Sequence, residues 1–565
     1  MEHLNFRNAV GLAAGLGNGI IGLVSEGGSE KNPGLLRDGY FWSALALGGF
    51  VLSLTLWFGF GMDQSICAYS AWVWKEYHLP PYIGVWDLSF PGIFIIYRLG
   101  MTLSGQSIPG LRAFDFVIQL TTLAMVFHLS KKLSGQSMAG FLGSVFFAVL
   151  YYSSGPYDTL QRESYVLWLM LAALVCAFSL SRRPLLWAAL AGFFLGFAFL
   201  VKPFYGLCWL VFAGLITSQS WRQKPRMLGE LLVFAGACVL PSLVVVLFYL
   251  QAGYLKELYR AIIWFNFKVY GSGGNSPYGF FDLCLRIARS ALSRNYVIIL
   301  AGLMGIARLS RRKDARGLFW TLLGLMLATL VSYRLQNKYF PFHLYPFYAI
   351  LVMFAADAFA RLIAGAGAKM PSALRKIFYA VSLAVAISLV AAMVKPSLIE
   401  YSLKYSFRSL DAAYSAGFGA KSDPHFAADQ YLAAKYLEPL LKPGDDVAFF
   451  GPYPLVQFLL KSRPLSRFCC LQHFLFMPRD QQMTTFQFVW MQEYSSAIIS
   501  ARPKYFLLAD SFPGMKNKFL NLAGRSLRQQ LHYDFPELEQ LLAQRYRVIS
   551  QIGDIAIYEL APEQR

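Results

Sequence analysis

Long apolar runs separated by short polar gaps organise this chain. Runs at about 41–61, 112–130, 138–154, 164–181, 185–201, 203–219, 231–251, 293–309, 317–335, 341–361 and 377–394 approach the ~18–20 residues that let a helix cross a bilayer. The gaps alternate in character. One set is short and basic: Lys131 and Lys132; Arg182 and Arg183; Arg222, Lys224 and Arg226; Arg308, Arg311, Arg312, Lys313 and Arg316; Lys369, Arg375 and Lys376. The other set is richer in aromatic, Pro, Gly and acidic residues. Short basic loops stay cytoplasmic, so the pattern predicts about eleven spans with the amino terminus inside and the carboxyl-terminal segment outside.

Three segments fall outside this alternation. "FPGIFIIYRLGMTL" (Phe90–Leu103) is short and interrupted by Arg98, and counting it as a span would invert every later basic gap. It is expected to be an interfacial or re-entrant helix within a long first outer loop, residues 62–111. Residues 1–40 are Gly-rich, end in "SEGGSEKNPGLLRDGY" and show no cleavage site with the right flanks, so they read as a cytoplasmic tail. From about Lys395 the period shifts: "DDVAFFG", "PKYFLLAD" and "YRVISQIGDIAIYELA" are strand-like, while "AADQYLAAKYLEPLL" and "PELEQLLAQRY" are helical. The expected fold is therefore mainly α, a polytopic transmembrane helical bundle (41–394) followed by an extracytoplasmic α/β domain (395–565).

Composition agrees. Of 565 residues 56% are hydrophobic and only 15% charged, against about a quarter in soluble proteins. The net charge of +20 is accounted for by the basic gaps and calls for no nucleic acid. The seven cysteines show neither metal-ligand spacing nor a disulfide framework.

Chemistry is expected where the outer gaps collect polar side chains. Lys202 is the only charge in Ala191–Ile216 and stands where one predicted helix ends and the next begins, with Pro203 after it. Its ammonium either snorkels to water or binds an anion. Loop one opens with Asp63 and carries Tyr69; a carboxylate at a helix end serves as a general base or as a solvated end residue. Loop two holds Asp158, Arg162 and Glu163, open to structural ion pairing as well as catalysis. Arg260, Lys268 and Tyr270 in loop four, and Lys338, His343 and Tyr345 in loop five, are placed either to bind a sugar phosphate or to anchor the interface. Collected on one face, two or three carboxylates and several cations suit a reaction that deprotonates a hydroxyl and expels a phosphate.

The order of these segments carries a resemblance. A first span ending in Asp63, a loop ending "DLSFPG", then "GLRAFDFVIQLTTLAMVFHLSKKLSGQSMAGFLGSVFFAVLYY", an acidic second loop, "LAGFFLGFAFLVKPFYG" and "NKYFPFHLYPFYAIL" together resemble the GT-C glycosyltransferases over about Phe41–Leu362. The likeness is to the protein O-mannosyltransferase and lipid A aminoarabinose transferase branch. It implies transfer of a sugar from a polyprenyl-phosphate donor to a glycan, lipid or protein acceptor on the outer face of a bacterial inner membrane. By the same resemblance Asp63 matches the family's base, although Asp63–Gln64 stands where the family often has Asp-Glu. Glu163, with Asp158 second, matches its second-loop acid; Lys202 and Pro203 match its Lys-Pro motif at the donor phosphate. Arg112 matches a recurrent Arg, with Arg260 and Lys338 as further phosphate contacts, and Tyr345 matches an aromatic near the donor. Tyr69, His343 and Tyr270 complete the expected substrate contacts. No cofactor is implied, and a divalent ion on Asp63 and Glu163 is the one metal arrangement the superfamily suggests.

Two rival classes remain open on the sequence. A polymerase or ligase would take a diphosphate-linked oligosaccharide at the same face. A transporter without chemistry would show internal repeats, and no second copy of "FPG…LRAFD" or "VKPFYG" occurs.

Overall fold

The computed structural model describes residues 35–179, 183–271, 285, 289, 295–336, 338–368, 370–417, 427–475, 483–510 and 526–562. Most of the expected amino-terminal tail, residues 1–34, lies outside the described residues. The chain divides into two compact units. One comprises 1–56, 112–245 and 277–400; the other comprises 57–111, 246–276 and 401–565.

In the first unit every predicted span is a helix: Gly39–Ser53, Ile108–Ser134, Ser137–Ser154, Arg162–Ser179, Pro184–Val201, Leu207–Ser220, Lys224–Gln251, Tyr296–Leu309, Arg316–Gln336, Tyr345–Ala368 and Ser372–Ala391. Eight of these segments, among the described residues, are long and apolar enough to cross a membrane. Leu207–Ser220 and Tyr296–Leu309, at 14 residues each, extend only about 21 Å at 1.5 Å per residue, short of a ~30 Å hydrocarbon core. The chain is a polytopic helical membrane protein.

Close helix contacts replace the hydrophobic drive that lipid removes. A Cβ on Gly192 or Gly196 would stand 2.5 Å from the Phe234 carbonyl oxygen or 2.2 Å from that of Cys238, so this small-residue pair seats Pro184–Val201 directly on the backbone of Lys224–Gln251. Gly305 does the same in Tyr296–Leu309, where a Cβ would lie 2.0 Å from the Phe354 carbonyl oxygen. At the basic end of the bundle, Arg308 grips the wholly buried Asp357 with two guanidinium nitrogens. Lys131 and Ser137 both donate to Asp38 at 2.6 Å.

The second unit contains a four-stranded sheet: β1 (Val447–Phe450), β2 (Tyr505–Ala509), β3 (Tyr546–Ile552) and β4 (Ile555–Leu560), in the order β1-β2-β4-β3. β1 and β2 are parallel and buried along their whole length, and the crossover between them that parallel pairing requires includes the helices Leu455–Leu460, Gln472–Leu475 and Thr485–Ala501. β2–β4 and β4–β3 are antiparallel, with Gly553 at φ +53° in the β3–β4 turn. All four strands and both helical patterns sit where the period shift placed them. The short run at Phe90 is a separate helix, Pro91–Ser104, started by its proline and buried along one side. Arg98, the charge that argued against a span, lies 4.3 Å over the Trp74 ring.

The glycine contacts generate a direct expectation. Gly305→Val forces apart two backbones that touch and should cost about 1–3 kcal/mol, read as a lower thermal midpoint in detergent. Gly214→Val, in a helix but with nothing within 4 Å of its Cβ position, should leave the midpoint in place.

Candidate functional site

The loop between Ser137–Ser154 and Arg162–Ser179 is held from two sides, which fixes where its acidic residues begin. Gly155, at φ +80°, ends the first helix, and Leu160 adopts φ +59°, a conformation that a branched side chain tolerates only when its surroundings impose it. Those surroundings are visible. The Tyr151 hydroxyl accepts from the Leu160 N–H at 2.8 Å and donates to Asp115 at 2.6 Å, and Gln119, one turn on, donates to the other Asp115 oxygen at 3.0 Å. Arg112, fully buried, donates to the Thr159 hydroxyl at 2.9 Å and to the Pro156 carbonyl at 3.0 Å. Arg112, expected as a phosphate ligand, thus has partners in the second loop. Asp115 and Tyr151 received no role in the sequence reading; the signal for them was a buried-side Asp and Gln spaced four apart in an otherwise apolar run.

With the loop pinned, Glu163 enters the first turn of Arg162–Ser179, where the helix dipole favours a carboxylate. Lys202 ends Pro184–Val201: its N–H still bonds the Ala198 carbonyl at 2.9 Å, but at φ −155°, ψ 104° the chain leaves the helix and Pro203 starts a new turn. Its ammonium pairs with Glu163 Oε1. His343, in the short turn Pro341–Leu344 that opens Tyr345–Ala368, brings Nε2 to 3.6 Å from the same oxygen, too long for a hydrogen bond. Phe342, Phe340 and Tyr333 surround its ring with centroid distances of 4.5, 5.5 and 6.5 Å.

Three loops therefore deliver a carboxylate, an ammonium and an imidazole to one end of the first unit. Glu163 is 1% exposed, His343 5% and Lys202 9%, so the group is screened from bulk water. Glu163 Oε2, His343 Nδ1 and the Tyr345 hydroxyl are buried and meet no hydrogen-bond partner among the described residues. The Tyr345 ring packs edge-on to Tyr151 at 5.7 Å, within the strut that holds the loop. Lys338 lies between two spans, half-buried, and burial pulls its ammonium down to about 8. Asp158 is half-buried in the pinned loop.

The other predicted residues lie in the second unit. Asp63 is in the first turn of the helix Met62–Tyr77. Its neighbour Gln64 is buried and accepts from the Gly61 N–H at 3.1 Å, so its amide caps the helix start much as a glutamate would. The Tyr69 hydroxyl donates to the Ser462 carbonyl at 2.9 Å, and its ring stacks on Trp72. Arg260 pairs with Glu257 at 2.7 Å; Glu257 also takes Arg467, which in turn grips Glu493, both at 2.8 Å. Tyr270 closes the π-helical segment Arg260–Tyr270 and is half-buried. Among the described residues no group of three or more His, Cys, Asp or Glu side chains could hold a metal ion.

Burial makes the Lys202–Glu163 pair asymmetric to mutation. Lys202→Met alone strands a carboxylate and should cost about 3–5 kcal/mol, whereas the double variant Lys202→Met with Glu163→Gln should recover most of that loss. Unfolding midpoints of the two single variants and the double variant in detergent measure the coupling.

Comparisons with known proteins follow the same outline. Residues 89–246 match the dolichyl-phosphate-mannose-protein mannosyltransferase family. No curated protein matches the sequence. Among solved structures, ArnT from Cupriavidus metallidurans bound to undecaprenyl phosphate superposes with a TM-score of 0.52 at 12% identity, over 93% of this chain and 99% of that one. ArnT in the apo state gives a TM-score of 0.50 at 12% identity over the same shares. The chain therefore shares the ArnT fold along nearly its whole length, and within it residues 89–246 carry the match to the mannosyltransferase family.

Proposed function

We propose that this protein transfers a sugar from a polyprenyl-phosphate donor to a hydroxyl of a lipid, glycan or protein acceptor at the outer face of a bacterial inner membrane. The observation that carries this reading is the water-poor group Glu163–Lys202–His343, in which a cation is held at a helix end by a carboxylate that still has an unused oxygen. Such a cation is stored, ready for a phosphate, at the end of a bundle whose fold is that of a protein described with undecaprenyl phosphate.

In this reading Asp63 accepts the acceptor's hydroxyl proton. The oxygen attacks the anomeric carbon, the bond from that carbon to the phosphate oxygen breaks, and the phosphate leaves with the electron pair, inverting the sugar. Lys202 stabilises the departing charge, with Lys338 and Arg260 as further cations. Glu163, rather than Asp158, is the second-loop acid of this scheme. It holds Lys202 before the donor arrives and releases it to the phosphate, and His343 stands 3.6 Å away to face the freed carboxylate.

A competition follows from that arrangement. Glu163→Gln removes the partner that the phosphate must displace, so polyprenyl monophosphate should bind about tenfold more tightly, a gain of about 1.4 kcal/mol, while Lys202→Ala weakens binding by at least as much. Titration of the lipid into nanodisc-embedded protein measures both. Asp63→Asn should bind the donor like wild type and transfer no sugar; normal turnover in that variant would remove Asp63 as the base. Preference for a diphosphate-linked oligosaccharide in the same titration would replace the transferase by a polymerase or ligase.

The Lys338 ammonium adds a pH signature. Burial disfavours its charged form, so the cation is present below about pH 8 and lost above it. Donor affinity should hold steady up to about pH 7 and weaken through about pH 7–9, and Lys338→Arg, charged throughout, should flatten that fall. An unchanged profile in the variant assigns the phosphate to other cations.

A further inference from the structure

The second unit carries an apolar stripe that no part of the transfer reaction uses. Helix Lys224–Gln251 ends with Val246, Leu247 and Leu250 exposed, and Gly253, at φ +77°, turns the chain into Leu255–Tyr259 and the π-helical Arg260–Tyr270. Along this second stretch two faces differ sharply. Leu258, Phe265 and Val269 are buried; Phe265 packs on Trp86 at 4.8 Å and Trp490 at 5.7 Å, and Asn266 donates to the Leu88 carbonyl at 2.8 Å. The opposite face shows Leu255, Tyr259, Ile263 and Phe267, one every fourth residue, with Tyr259 55% and Phe267 72% exposed. An α-turn of 3.6 residues and the wider turn of a π-helix bracket that spacing, so the four side chains stay on one side.

We infer that this helix lies in the membrane interface, with the stripe Leu255–Tyr259–Ile263–Phe267 set into the lipid and Lys256 and Lys268 at the headgroups. Three observations select a bilayer over a protein partner. The stripe continues directly from the exposed apolar turns of a membrane-spanning helix, so lipid already meets the chain at its start. Its exposed charges are both lysines, on long stems that reach anionic headgroups from a shallowly sunk helix. The neighbouring helix Thr485–Ala501 extends the same surface: Phe486 meets Trp264 at 4.8 Å under Arg260, and Phe488 and Val489 are exposed beside it. Aromatic rings with cations at one level are the side chains that settle at a lipid–water boundary. Anchored there, the unit that carries Asp63 and the sheet would have a fixed height against the bilayer surface.

The test uses the full-length protein in phosphatidylcholine nanodiscs containing phosphatidylglycerol. An environment-sensitive NBD label is attached at Phe267→Cys and, as a control in the same unit, at Val548→Cys, which is 57% exposed on β3. Labelled wild type corrects for the native cysteines, six of which are buried. The label at 267 should be quenched by shallow doxyl lipids and be several-fold less accessible to iodide than the label at 548. Iodide access equal to that at 548 overturns the inference, because the stripe then faces water. Protection from both quenchers overturns it too, because a protein then covers the stripe. Tyr259→Cys gives the same reading one turn away and stands in if the label at 267 disturbs folding.

Discussion

A lysine charge brought to the end of an apolar helix must be paired, and the rest of the first unit is arranged around that demand. Burying an ammonium or a carboxylate alone costs several kcal/mol, and mutual attraction repays this only when geometry is held tightly. Glu163 cannot find Lys202 by itself. It is set in place by the loop before it, and that loop is set by Arg112 and by the Asp115–Tyr151 strut. The strained backbone at Leu160 is the trace of this dependence: the loop takes a conformation its own residues disfavour because buried partners on the preceding helices dictate it. Helix packing reaches the same point from the other side. Gly192 and Gly196 let Pro184–Val201 lie on the backbone of Lys224–Gln251, which fixes the axis along which Lys202 arrives.

Much of the fold was legible because membrane insertion writes itself into long apolar runs and into the distribution of lysine and arginine. All eleven runs are helices, and the short run at Phe90 forms a helix of its own, Pro91–Ser104. The four strands were equally plain, since β1 and β2 are short, wholly apolar and bounded by turn residues. Two things were not legible. Tyr151 and Asp115 look like ordinary members of apolar helices, and only their meeting across two helices gives them a task. Tyr69 reads as an aromatic near an acidic helix start, while its hydroxyl is taken up by a carbonyl nearly four hundred residues on, a contact no local pattern encodes.

The site residues share a simpler logic. Glu163 begins a helix, Lys202 ends one and His343 sits in the turn before another. Within lipid, backbone polar groups must be satisfied inside the helix, so a span offers few places for a functional group along its length. Its ends are different: the hydrogen-bond ladder stops there, the dipole leaves partial charge, and a proline or glycine can redirect the chain. Sequence reading raises these three residues as candidates one loop at a time for that reason. It could not say which of them meet, because the meeting depends on the order in which helices pack.

Gln64 shows how such a scaffold accommodates change beside the proposed base, Asp63. The carboxylate that the related pattern often has after Asp63 is an amide here, yet the amide still accepts from the Gly61 N–H and closes the helix start. Capping needs only an acceptor oxygen at that spacing, whereas proton transfer or metal binding needs a charge. The substitution therefore preserves the local architecture that presents Asp63 while removing one negative charge from its side. In the proposed transfer one carboxylate at position 63 is enough, because accepting a single proton needs a single charged oxygen.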